Sequence, residues 1–123
     1  MSLQIRSIHV VVKCTHDHGS PVDLEEGIEQ SCNPYFWALY RDMLQQDGYE
    51  NGHALFKEHY NDWREIIASF GLGERFANTD IREQAKGYLP TAEFYNRIYG
   101  QKGWKAITIR SLSIGQGEIL VTP

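Results

Sequence analysis

The chain has 123 residues and a mass of 14.2 kDa, the size of one ordinary domain, which argues against a large multidomain assembly. It is 41% hydrophobic and 23% charged, close to the average for soluble globular proteins, and this composition argues against wholesale disorder and collagen-like structure. No apolar run approaches the roughly 20 residues that a membrane-spanning helix needs, so we expect a soluble chain. Twelve basic and sixteen acidic residues give a net charge of −4, which repels a phosphate backbone, and we expect no nucleic-acid partner.

A short strand is predicted near the N-terminus. Ile8, Val10 and Val12 alternate with their neighbours in the manner of a half-buried strand rich in branched residues. The polar residues 14–19 follow as a turn.

Two helices are predicted next. Asp23 and Glu26 form a capping pair for the first, which should bury Leu24 and Ile28 and end at residues 31–33. Asn33 should cap the second, with proline in its first turn and a stop at Gly48. The apolar stripe predicted for the second helix consists of Tyr35, Phe36, Leu39, Tyr40, Met43 and Leu44.

The remaining chain is predicted as two further helices and an extended tail. A broad apolar face predicts a third helix over Ala54–Phe70, stopped by the glycines that follow it. Residues 77–89 have the composition of a loop, and Pro90-Thr91 begins a short helix that runs through Tyr99. The tail Trp104–Arg110 is predicted to be strand-like or extended.

Four soft metal ligands occur in the first third of the chain: Cys14, His16, His18 and Cys32. Zinc takes such ligands, although this spacing is not that of a standard zinc finger. The preferred interpretation is a polar turn whose histidines bond to the backbone, and no cofactor is expected. The alternative is a zinc site at Cys14, His16 and His18. We expect the Cys32 side chain to be buried and to pack in the protein interior, with metal ligation as the alternative.

The tripeptide Ser31-Cys32-Asn33 lies between the first two predicted helices. Considered alone, it is a serine at one helix end and an asparagine cap at the next. A hydroxyl nucleophile, however, needs a neighbouring base and a proton relay, and a serine side chain both donates and accepts hydrogen bonds. An asparagine amide can orient a lysine and a peptide carbonyl together.

The sequence resembles the transpeptidase domain of class B penicillin-binding proteins, most closely the elongation-type penicillin-binding protein 2 group. Four stretches carry the resemblance, in an order and at separations that fit the family, and they span nearly the whole chain. They are C-T-H-D-H-G-S-P-V-D-L-E-E-G-I-E-Q-S-C-N from Cys14, P-Y-F from Pro34, S-F-G-L-G from Ser69, and S-L-S-I-G-Q-G-E-I-L-V-T-P from Ser111.

The resemblance implies an active site built from three motifs, of which this chain has one. Ser31-Cys32-Asn33 matches the family's Ser-x-Asn motif, and it makes Ser31 and Asn33 the expected catalytic residues. Ser-x-x-Lys and Lys-Thr-Gly do not occur, so we expect the nucleophile upstream of residue 1 and the sheet strand downstream of residue 123. Residues 1–123 would then be a mainly α subdomain, with a short N-terminal strand, excised from a β-lactamase/transpeptidase-like α/β fold.

The same resemblance implies the function and setting of the longer protein. It would cross-link peptidoglycan stem peptides as a serine D-Ala-D-Ala transpeptidase, react with β-lactams, and be anchored in the inner membrane with its catalytic domain in the periplasm. The isolated fragment should be inactive and, without its sheet, could form homo-oligomers. Two alternatives are a small zinc-binding module and a non-catalytic helical interaction module.

Overall fold

The chain folds into a short hairpin followed by α-helices, in a computed structural model that describes residues 2–5, 8–46, 52–77 and 79–121. Antiparallel strands β1 (Ser2–Ile5) and β2 (Ile8–Val11) pair with Ser2 opposite Val11 and Ile5 opposite Ile8. The helices are α1 (Leu24–Glu29), α2 (Asn33–Leu44), α3 (Gly52–Ala68) and α4 (Ala92–Tyr99), and a 3₁₀ helix covers Arg110–Ile114. The predicted mainly α class and the strand at residue 8 are confirmed, whereas β1 was not predicted.

The start of α1 is the predicted capping pair. Asp23 Oδ1 accepts a hydrogen bond of 2.9 Å from the Glu26 amide, and Glu26 Oε2 accepts one of 2.9 Å from the Val22 amide. The first bond satisfies an amide in the first turn that has no intrahelical partner, and the second ties the residue before the cap to the helix.

The buried face of α1 differs from the predicted one. Leu24 and Ile28 are 50% and 61% exposed, so the prediction that α1 buries them is wrong. The buried residue is Gly27, because the ring of Tyr35 lies against it and a Cβ there would come within 2.7 Å of that ring. Glycine therefore lets α1 and α2 approach closely.

Helix α2 begins one residue away from the prediction. Cys32 occupies the cap position and Asn33 is the first helical residue, so the prediction of Asn33 as the N-cap is wrong. Proline follows as the second helical residue, where its missing N–H costs no intrahelical hydrogen bond. The predicted stop at Gly48 lies outside the described residues.

The buried face of α2 is narrower than the predicted stripe. Trp37, Tyr40 and Leu44 are buried at helical spacing, whereas Leu39 and Met43 are 43% and 40% exposed. The predicted stripe missed Trp37 and placed Leu39 and Met43 in the core, because the apolar residues of α2 extend around more of the helix than its neighbours cover.

The core contains a cluster of aromatic side chains around Trp104, which is fully buried. The rings of Phe56, Tyr60 and Tyr95 lie with centroids 5.0–5.3 Å from it, in edge-on or tilted geometry that suits aromatic quadrupoles. The indole N–H donates a hydrogen bond of 2.9 Å to Asn96 Oδ1, so the buried polar atom is satisfied. This cluster joins α3, α4 and the tail.

The tail beyond α4 is not extended. Residues 106–109 form turns that lead into the 3₁₀ helix, so the predicted strand-like Trp104–Arg110 is wrong. The coil buries Ala106, Ile109 and Leu112, and the 3₁₀ helix packs against α2. In the part of the chain that the structure describes, no helix combines the length and apolarity required to cross a bilayer.

Candidate functional site

The turn between α1 and α2 holds Ser31 in an uncommon backbone conformation. Its φ is +48°, in the left-handed region that side chains other than glycine seldom adopt. The Ser31 amide donates to the Ile28 carbonyl at 3.1 Å, and the Cys32 amide donates to the Gly27 carbonyl at 3.0 Å. This pair of bonds is the Schellman termination of a helix, which usually places glycine where this chain has serine.

The two residues expected to be catalytic differ in their surroundings. Ser31 is exposed, whereas Asn33 is half-buried and lines a pocket of about 210 Å³. Ser31 is not among the residues that line this pocket. The turn therefore places both residues at one end of α2 without joining their side chains in a single cavity.

A cluster of two thiols and one imidazole lies beside this turn. The candidate ligand atoms of Cys14, His18 and Cys32 all lie within 4.8 Å of one another. The first two come from the loop after β2, and Cys32 comes from the cap of α2. Thiolate and imidazole are ligands that zinc prefers, so this group could hold a metal ion.

The cluster corrects the predicted ligand set. His16 is outside the cluster, and its Nε2 lies 2.7 Å from the Gln30 carbonyl oxygen at the end of α1. Cys32 takes its place, and the predicted burial of this cysteine is confirmed by an exposure of 4%. The sequence could not choose among the four ligands, because Cys32 reaches the loop only through the packing of α1 and α2.

His18 bridges the cluster and the backbone. Its Nε2 lies 3.0 Å from Cys14 Sγ, and its Nδ1 lies 2.5 Å from the Gly19 carbonyl oxygen. A proton on Nδ1 donated to that carbonyl leaves Nε2 free to accept a proton or bind a metal ion, an arrangement common among metal-binding histidines. The hydrogen bonds to Cys14 and to Gly19 raise the pKa of His18.

The two thiols are shifted in opposite directions. Burial by itself would raise the pKa of Cys14. Hydrogen bonds from His18, from the backbone N–H of Asn33 and from Cys32 together outweigh it, and the pKa of this thiol is lowered. Burial raises the pKa of the Cys32 thiol. Cys14 is therefore the thiol that ionises first, and its ionised form is the nucleophilic and metal-binding one.

Two cavities adjoin the turn. A pocket of about 600 Å³ opens over the thiol cluster and is bounded by the loop after β2 and the first turns of α2. The pocket of about 210 Å³ shares Val12 and Lys13 with the first and is also lined by Asn33 and by Arg110, Ser111 and Ser113 of the 3₁₀ helix. Sequence reasoning missed the polar residues of this helix, which lie almost eighty positions from Asn33, because no local pattern links them.

Comparison of the chain with protein-family models, with curated proteins and with solved structures finds no match.

Proposed function

We propose that the chain is part of the transpeptidase domain of a class B penicillin-binding protein, in which Ser31 and Asn33 assist acyl transfer. The observation that carries the proposal is the turn between α1 and α2, where Ser31 holds a left-handed conformation at φ +48°. Strained backbone of this kind is concentrated at functional sites. The resemblance of the surrounding sequence to the Ser-x-Asn region supplies the reaction.

Each residue would have a separate role in that reaction. The Ser31 hydroxyl is exposed and can accept a proton on one side while donating one on the other, as a relay to the leaving amine requires. The Asn33 amide, fixed by the first turn of α2, would orient a lysine and the peptide carbonyl. The bond-forming hydroxyl would come from a Ser-x-x-Lys motif outside these 123 residues, and the substrate would be a peptidoglycan stem peptide.

The first test is the coding sequence on both sides of this chain. The proposal requires Ser-x-x-Lys before residue 1 and Lys-Thr-Gly after residue 123, together with an N-terminal membrane anchor that places the domain in the periplasm. Absence of both motifs would contradict the proposed transpeptidase function and favour a non-catalytic helical module.

The second test is acylation of the longer protein by a fluorescent penicillin, followed on a denaturing gel. Asn33→Ala should slow acylation about a hundredfold, because it removes a positioning group for the transition state. Asn33 is not the cap of α2, so its loss should leave the melting temperature nearly unchanged. The 123-residue chain alone is the control, and it should form no covalent band because it lacks the nucleophile.

A zinc site at Cys14, His18 and Cys32 is a second candidate function, favoured by the convergence of their ligand atoms within 4.8 Å. The three side chains would bind the ion and leave a fourth position for water or another ligand. Zinc should bind with one-to-one stoichiometry in calorimetry and raise the melting temperature, since it binds only the folded arrangement.

Matched histidine variants test this zinc site. His18→Ala should abolish the rise in melting temperature, whereas His16→Ala should keep it because His16 lies outside the cluster. If both variants lose the zinc-induced rise in melting temperature to the same extent, the assignment of His18 and not His16 as a zinc ligand is contradicted.

A further inference from the structure

The pocket beside Asn33 is small, and most of its lining residues have side chains that can donate hydrogen bonds. Its volume is about 210 Å³, below the range of roughly 300–1,000 Å³ that holds a drug-sized ligand, so it suits one chemical group of a larger molecule. The polar and aromatic lining residues are Lys13, Asn33, Trp37, Arg110, Ser111 and Ser113, and the remaining two are aliphatic.

The charge of this pocket opposes that of the whole chain. Lys13 and Arg110 both line it and no carboxylate does, although the chain carries a net charge of −4. Over the described ranges 8–46 and 79–121, neither cation forms an ion pair. Two cations at one small cavity without a counter-charge attract an anionic group.

One of the lining residues, Trp37, also carries a buried donor that has no acceptor within the described ranges. Trp37 is 1% exposed, and its Nε1–H has no hydrogen-bond partner among the residues that the structure describes. Buried N–H groups without acceptors are rare in native structures, because each loses its hydrogen bond to water on folding. Because the indole nitrogen is not accessible to solvent, the donors offered by the pocket are those of the other polar residues. The lysine and the guanidinium can only donate hydrogen bonds, and the asparagine amide and serine hydroxyls can donate as well.

We infer that this pocket binds a carboxylate group of the ligand held beside Asn33. An ionised carboxylate only accepts hydrogen bonds, and its two oxygens match the two parallel N–H groups of a guanidinium such as that of Arg110. The choice of carboxylate over other anions rests on the proposed function, since a peptide substrate brings carboxylates to Asn33. The pocket then acts as a specificity subsite for an acidic peptide, next to the residue that positions it.

Nuclear magnetic resonance titration of the ¹⁵N-labelled 123-residue chain tests this inference. N-acetylglycine is the probe, and N-acetylglycinamide is its neutral match. The acid should move the assigned backbone amide signals of Arg110 and Ser111 and saturate with a dissociation constant on the order of 1 mM, whereas the amide should not move them. Raising the salt concentration to 0.5 M should weaken binding, because exposed charges are screened.

Charge-matched variants complete the test. Arg110→Gln should weaken binding of the acid about tenfold, whereas Arg82→Gln, which removes the same charge from an exposed loop away from the pocket, should leave it unchanged. The inference is overturned by equal shifts for acid and amide, by equal effects of the two variants, or by inorganic phosphate binding at least as tightly as the acid.

These outcomes are separable from those of the proposed function. If the chain binds carboxylates but the longer protein is not acylated by penicillin, the carboxylate subsite is supported and the transpeptidase function is contradicted. If the longer protein is acylated but the chain binds no carboxylate, the transpeptidase function is supported and the subsite is contradicted.

Discussion

Ser31 is the residue at which local stability and proposed function conflict. A left-handed conformation costs a residue with a Cβ about 1 kcal/mol relative to glycine, and many helices end in glycine for this reason. The Schellman hydrogen bonds around Ser31 need only the backbone, so they do not require a hydroxyl. Folding therefore does not require serine at this position, which agrees with the side-chain role that we propose for Ser31.

Ser31→Gly should therefore stabilise the chain while removing the proposed relay. We expect the free energy of unfolding to rise by about 0.5–1 kcal/mol, measured by urea denaturation. Ser31→Ala is the matched control, because it removes the hydroxyl and keeps the strained backbone, and it should show no such gain. If the glycine variant is no more stable than the alanine variant, the turn is not strained at Ser31.

Two buried tyrosines make a second contrast between single residues. The Tyr40 hydroxyl is buried without a hydrogen-bond partner among the described residues, whereas the Tyr60 hydroxyl donates to the Pro90 carbonyl at 2.7 Å. Tyr40→Phe should raise the free energy of unfolding by about 1 kcal/mol, because it removes an unsatisfied polar atom. Tyr60→Phe should lower it by about 1 kcal/mol, and equal effects would contradict the assignment.

The same two residues set an alkaline limit on stability. Burial raises the pKa of both phenols, so the folded chain keeps them neutral at a pH where the unfolded chain, with a tyrosine pKa of about 10, ionises. Their contribution is complete below about pH 10 and is lost as the pH rises above it. Tyr40→Phe should flatten this decline in urea titrations at high pH.

At the scale of the element, the starts of α1 and α4 were predicted correctly, the cap of α2 was misplaced by one residue, and the buried faces were not predictable. The Asp23 cap of α1 and the start of α4 after Thr91 depend on side chains within three residues, and both are confirmed. The exposure of Ile28 and the burial of Trp37 depend on which neighbour covers each helix, and that neighbour comes from distant sequence. The thiol cluster gives a similar result. The sequence showed which residue types could bind a metal ion, but that Cys32 and not His16 belongs to the cluster depends on how α1 packs on α2.

The tail gives the clearest test of this difference. An extended tail would place Ile107 and Ile109 on the same face, so their side chains would be buried to a similar extent. The observed coil buries Ile109 to 1% exposure and leaves Ile107 only half-buried. Ile109→Ala should cost about 2–5 kcal/mol in urea denaturation and Ile107→Ala clearly less, and equal costs would favour the extended tail.

At the scale of the whole molecule, the candidate site borders the main core at Trp37, which lines the pocket beside Asn33, but most of its residues lie outside that core. The hydrophobic cluster is built from α2, α3, α4 and the tail, and it does not include Cys14, His18, Ser31 or Asn33. Substitutions at these four positions can therefore change ligand or metal binding without leaving a cavity in the hydrophobic core.

The surface of the molecule, by contrast, is not fully covered by its own chain. Ile66 and Phe70 at the end of α3 are 59% and 76% exposed, and Phe76 and Ile81 in the following loop are 63% and 66% exposed. Apolar surface costs about 25 cal/mol for each Å² left in water, so exposed apolar side chains favour association. We expect the chain to dimerise through the end of α3.

Light scattering at several concentrations should show this dimer, and paired variants should locate it. Ile66→Glu with Phe70→Glu should give a monomer, because two charges at the contact would have to be buried without partners. Leu39→Glu with Met43→Glu adds the same charge to α2, at side chains that are less exposed, and should leave the dimer intact. A chain that stays monomeric at all concentrations and binds no hydrophobic dye would show that these residues do not form an association surface. A monomer produced only by the α2 variant would place the contact on that helix instead.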